Sequence, residues 1–235
     1  MVCQTGVGYS AGLRPAHSMK QARGDRLVAG SGAGSTVVRG DLVGRVRTAF
    51  TLHSTMVERC LEPLAPSIVS AAEMMVRALV SGRKILLCGN GGSATCAQLF
   101  SSHLLNRYTH ERPGLPAIAL TADCTTLTAI ANDHQFTEVF ARQIMSLGQS
   151  EDILVMFSTT GNSANLTRAV DAAHARGIRC IALNGRDGGE LATALSHDDI
   201  NIQVPGESTA RIREIHVLAV HCLSELIDYQ LLGQG

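Results

Sequence analysis

The sequence of 235 residues predicts an α/β protein: a five-stranded parallel sheet in a three-layer αβα sandwich, with N-terminal helices. Three observations predict it. Short apolar runs recur at 84–88 (KILLC), 115–120 (LPAIAL), 152–157 (DILVMF), 178–183 (IRCIAL) and 200–204. These runs are nearly continuous, as strands covered on both faces require. Stretches of helical period separate most of them, and strand–helix–strand alternation builds right-handed crossovers.

The elements follow in order. The first 40 residues hold eight glycines, five Lys or Arg and one acid, with no apolar stripe. Residues 1–41 read as an extension outside the domain at 42–232. A disordered tail, a basic transit segment and a start codon set too far upstream are the alternatives. Between 42 and 81, Val43, Val46, Phe50, Val57 and Leu61 recur at helical spacing. Pro63 and Pro66 interrupt this pattern, which predicts two helices, the second from Ala65 to Leu79 and stopping at Ser81-Gly82. Further helices are predicted over 94–106, 125–132, 137–145, 163–176, 190–195 and 208–232.

Composition narrows the function. Lys and Arg total 20 against 20 Asp and Glu, so no positive field points to direct nucleic-acid binding. Aromatic residues make up 3% with no Trp, too few for a stacking platform. Seven cysteines without a CxxC pair suit reduced thiols and a cytoplasmic location. No apolar run approaches the roughly 18–20 residues of a membrane span.

Ligands of parallel sheets sit beyond the carboxyl ends of the strands, so the loops there carry the functional reading. After the first strand come Asn90, Gly91, Gly92 and Ser93, opening a helix. Glycines let backbone approach an anion and the helix start offers free N–H groups. A tight turn with a Ser cap produces the same pattern. After the third strand, Ser158, Thr159, Thr160 and Ser163 place four hydroxyls in six residues directly before a helix. That exceeds the needs of capping and predicts a phosphate cradle. Asn132 and Asp133 end a helix after the second strand; they suit sugar hydroxyls and equally an ordinary helix end. The loop at 184–189 reads as a turn, with Arg186 beside a possible anion.

Taken together, CGNGGS (88–93), NRYTHERPGLPAIAL (106–120), LTAIAND (127–133), STTGNSAN (158–165), GRDGGELA (185–192) and ARIREIHVLAVHCLSELID (210–228) resemble the sugar isomerase (SIS) domain. More narrowly they resemble its phosphoheptose isomerase group, over about residues 42–232. That group has two branches. One isomerises sedoheptulose 7-phosphate; the other is the DnaA initiator-associating protein, a tetramer that binds DnaA. The resemblance implies phosphate held by Ser158, Thr159, Thr160 and Ser163, and sugar held by Asn90, Gly91, Gly92, Asn132 and Asp133. It also implies a metal and acid–base set, a His and Glu on the helix after the Gly loop and a Gln and His on the last helix.

Those four positions are Leu99, His103, Arg213 and His221 here. Leucine cannot ligate a metal and arginine brings a repelling charge, so no metal or other cofactor is expected. His103 and His221 remain as candidate catalytic residues, Arg213 joins the substrate-binding set, and His216 reads as structural. The expectation is a phosphosugar-binding regulator or adaptor, a homotetramer with DnaA as partner and no membrane contact. The alternative is a phosphoheptose isomerase with an altered site.

Overall fold

The computed structural model describes residues 40–233; the extension expected at the N-terminus lies outside the described residues apart from its last two. Helix α1 spans Leu42–Val80, followed by β1 (Ile85–Gly89), α2 (Gly92–Leu105), β2 (Ala117–Ala119) and α3 (Cys124–Asp133). A short 3₁₀ turn at Phe136–Glu138 leads to α4 (Ala141–Leu147), β3 (Ile153–Phe157), α5 (Ala164–Ala175) and β4 (Arg179–Gly185). The chain closes with α6 (Gly189–Ala194), β5 (Ile200–Val204) and α7 (Thr209–Leu232).

All strands are parallel in the order β2-β1-β3-β4-β5, as the alternation requires. β1 and β3 are buried along their whole length. Successive side chains of a strand point to opposite faces. Ile85, Leu87, Ile153, Val155 and Phe157 therefore join one core layer under α1, α2 and α7. Leu86, Cys88, Leu154 and Met156 join the other, under α4 and α5.

The expected break in the N-terminal helix is absent: α1 is one helix of 39 residues containing both Pro63 and Pro66. Each proline removes the bond to the carbonyl four residues earlier, on Arg59 and Glu62. Both prolines and both of those residues lie on the exposed face, where water serves the freed carbonyls. On the opposite face Met56, Cys60 and Leu64 pack into the core across the proline segment. The predicted periodicity was thus that of one continuous helix. Its start is nevertheless bare, with Val43, Val46 and Phe50 all more than half exposed.

α1 and α7 are each long and apolar enough by composition to span a bilayer. In this fold they pack on each other and bury Met75, Ala78, Val220 and Leu223 against the sheet.

The amino ends of the strands are held by carboxylates. Buried Asp152 pairs with Lys84 Nζ at 2.6 Å and accepts from the backbone N–H groups of Lys84 and Gln149. Asp199 accepts from the Cys180 and Ser196 amides, the Ser196 hydroxyl and His174 Nε2.

His216 is fully buried on α7, as its structural reading requires. Its Nε2–H donates to the Asn184 carbonyl and its Nδ1 has no partner. Burial therefore drives its pKa down to about 4. In the unfolded chain the same imidazole titrates near the ordinary value of about 6.5, so the unfolded state binds the extra proton first on acidification. Stability should fall by up to about 3 kcal/mol between pH 6.5 and pH 4 from this group alone. Urea melts across that range should show a shallower acid slope in His216→Gln than in the natural chain.

Candidate functional site

The first cluster of predicted residues sits at the carboxyl ends of β1 and β3. Gly91 adopts φ +53°, which turns the chain from strand into helix at a backbone conformation favouring glycine. Gly92 follows against the Arg213 side chain from α7: a Cβ at Gly92 would collide with the guanidinium. Arg213 Nε is buried without a hydrogen-bond partner. The nearby Glu214 is taken by Arg211 and His53, so among the described residues no carboxylate neutralises Arg213. A cation without a counter-ion thus stands at the start of α2, where helix N–H groups already favour an anion.

The hydroxyl loop meets it from the neighbouring strand. Ser158 is buried and its Oγ accepts from Gly161 N–H at 2.9 Å, which folds the loop back on itself. Gly161 has φ +70° and touches Gly188; any side chain there would strike the Gly188 carbonyl. The first turn of α6 braces it further, with Leu191 N–H donating to the Gly161 carbonyl and Glu190 N–H to Asn162 Oδ1. Thr159 and Thr160 are half-buried, and Ser163 caps α5 by position while its hydroxyl makes no capping bond. Arg186 lies in the turn read from the sequence, at φ +59°, where it pairs with Glu207.

Asn90 spends its amide within the protein. Its Nδ2 donates to Asn165 Oδ1 and Asn165 Nδ2 donates back to Asn90 Oδ1, both at 2.8 Å. Sequence reasoning missed Asn165, although an amide in the first turn of a helix whose cap is already supplied was the available signal. Asn132 and Asp133 are bonded to each other and exposed at the far end of α3, and neither bonds to the two loops.

His103 and His221 lie elsewhere. They face each other at 5.6 Å between ring centroids, with Tyr108 at 5.0 Å from His103 and 5.9 Å from His221. Burial first, then the neighbouring His221, lowers the His103 pKa below its ordinary 6.5, while Asp228 opposes the shift. His103 is therefore neutral near pH 7. Burial, then Glu225 and Cys222, push the Tyr108 phenol upward. Tyr108 was inside a quoted motif without a role; only the tertiary fold shows it beside the histidines.

α2 and α7 run parallel, with Gly92 on Arg213 near their starts and His103, near the end of α2, on His221 and Ser224 in the middle of α7. Along α2, Gly92 and His103 are about 16 Å apart at 1.5 Å per residue. The residues read as one site therefore form two clusters: loops and Arg213 at the sheet edge, and a histidine cluster between the last turn of α2 and the middle of α7.

Residues 50–185 match the family described as SIS domain. The chain belongs to the SIS domain family. Within it the chain falls in the phosphoheptose isomerase group. It is 58% identical to a phosphoheptose isomerase of Chromohalobacter salexigens over 82% of this chain and 98% of that one. It is also 58% identical to one of Halorhodospira halophila, over 80% of this chain and 96% of that one. Among solved structures, a phosphoheptose isomerase from Neisseria gonorrhoeae superimposes with a TM-score of 0.76 at 43% identity, over 80% of this chain and 98% of that one. Within the SIS domain family this is a phosphosugar-binding protein.

The metal set implied by the family does not fit these side chains. Leu99 packs on the apolar core, and Arg213 brings a positive charge to the start of α2, about two helical turns from His221. His174, Cys180 and Asp199 come together at the amino end of the sheet, but Asp199 already accepts four hydrogen bonds. Burial raises the Cys180 thiol well above its ordinary value, so this cluster is a structural carboxylate with its donors.

Ser163→Ala removes a hydroxyl that the fold does not use. It should weaken sugar-phosphate binding by tenfold or more, since a hydrogen bond to a charged group contributes about 1.5–3 kcal/mol. Calorimetry should show this with the melting temperature unchanged. Ser158→Ala, which also loses the bond to Gly161, should lower both.

Proposed function

We propose that the chain is an aldose–ketose isomerase acting on a phosphorylated heptose such as sedoheptulose 7-phosphate. The carrying observation is the cradle, with the free Ser163 hydroxyl and the unpaired Arg213 guanidinium beside two helix starts. The names of the closely similar relatives favour this enzyme reading over the regulator expected from the substituted positions. The reaction moves a proton between adjacent carbons through an enediol and needs a base with its lone pair free. Neutral His103 supplies that lone pair, and His221 and Tyr108 stand in ring contact to carry protons between the sugar oxygens. We read the chemistry as independent of a metal, and the described cysteines, all free thiols, as those of a cytoplasmic protein.

An extended seven-carbon sugar phosphate is only about 10 Å long, from bonds of about 1.5 Å. It is too short to join the two clusters of one protomer. We therefore propose a homotetramer in which the cradle of one copy meets the histidine cluster of another. The exposed Val43, Val46 and Phe50 support such contacts. So does an apolar hollow of about 320 Å³ between α1 and α7, lined by Val57, Leu61, Leu64, Ile68, Leu218 and Leu226.

A second reading keeps the phosphosugar site and drops turnover: a regulator of the DnaA-associating kind. Leu99 and Arg213 at the implied ligand positions favour it.

One assay separates the two. The enzyme reading expects turnover of sedoheptulose 7-phosphate that chelators leave unchanged. His103→Ala should lower kcat by roughly 10²–10⁴-fold. On acidification the rate should fall at a pH below that of an ordinary imidazole, as the lowered His103 pKa is passed and the base is protonated. Binding without turnover would establish the regulator, and capture of DnaA would then name its partner. Light scattering should show an oligomer that Phe50→Glu with Leu61→Glu reduces to a monomer, with loss of turnover and retained phosphate binding.

A further inference from the structure

Ser224 lies on α7 facing His103, buried to 1% exposure. Its Oγ is 2.8 Å from the Val220 carbonyl and 3.0 Å from His103 Nδ1. Two oxygens at 2.8 Å need a hydrogen between them, and a carbonyl has none to give. The hydroxyl owns one proton, so it is committed to Val220. Toward His103 the oxygen acts only as an acceptor, and Nδ1 must carry the ring proton.

We propose that Ser224 is a positioning residue that holds neutral His103 as the Nδ1–H tautomer and leaves Nε2 as the nitrogen free to take a proton. Imidazole tautomers are set by the bond the other nitrogen makes. The register that brings the two residues together is fixed by a deeply buried ion pair one turn further along. Arg112, 2% exposed in its side chain, donates Nε–H to Asp228 Oδ1 at 2.6 Å. Its remaining N–H groups donate to the carbonyls of His103, Leu104 and Pro113. Ser224 and Asp228 are four residues apart on one face of α7, so the last turn of α2 is held against both. The other titratable groups facing this cluster are His221, Tyr108, Cys222, Glu225 and Asp228.

The inference rests on the reading of His103 as the base, and the test keeps the two apart. Long-range ¹H–¹⁵N spectra of the full chain at pH 7.5, with His103→Gln for assignment, report which nitrogen is protonated. The natural chain should show Nδ1–H, and Ser224→Ala should lose that preference and lower kcat roughly 10–100-fold with KM within a factor of two. Ser224→Thr, which keeps the hydroxyl, should retain the tautomer. An Nε2–H signal in the natural chain, or an unchanged tautomer in Ser224→Ala, overturns the proposal. Full turnover in His103→Gln would sink the base reading while leaving the tautomer result intact.

Discussion

A parallel sheet covered on both faces has nowhere to keep polar side chains except beyond its strand ends. β1 and β3 are wholly apolar and buried, so the two ends carry the polar work of the sheet, and they carry it differently. At the amino ends Asp152 and Asp199 gather backbone N–H groups and side-chain donors, and their demand is met inside the protein. At the carboxyl ends the chain offers hydroxyls, helix N–H groups and Arg213, which want an acceptor from outside. The reciprocal Asn90–Asn165 amides fix the spacing between the two halves of that cradle by joining the loop after β1 to the helix after β3.

Much of this was visible in the residues. Five apolar runs gave five strands, because a doubly covered strand needs no alternation and reads as a block. The Gly and Ser/Thr loops could be placed together at one sheet edge, because both directly follow a strand and precede a helix. The break at Pro63 and Pro66 was misread, since local proline chemistry decides a helix only when the far face has nothing to hold it. Met56, Cys60 and Leu64 hold it here. Asn165, Tyr108 and the Arg112–Asp228 pair escaped for a different reason: their partners are 75 to 116 residues away or known only from ring packing.

The separation of the cradle from the histidines was also out of reach of motif reading. Helical spacings within each motif say which residues share a face. They do not say how far along that face a ligand extends. The distance along α2 separates His103 and His221 from the loops at the sheet edge within one chain. A charged residue at position 213 is then a property of the sheet-edge loops, where it adds a fixed cation, more than of the histidine cluster.

The parallel setting of α2 and α7, with α5 starting at the same sheet edge, aligns the peptide dipoles of three helices. A chain with 20 bases and 20 acids is balanced in total and yet electrically lopsided along one axis. The cradle is the positive pole, each helix start contributing about half a charge at most, and the ends of α2 and α7 are the negative pole. Two copies that meet pole to opposite pole lower their field energy. A packing of copies that sets one cradle toward a neighbour's helix ends would be favoured by the backbone itself, before any side chain is chosen.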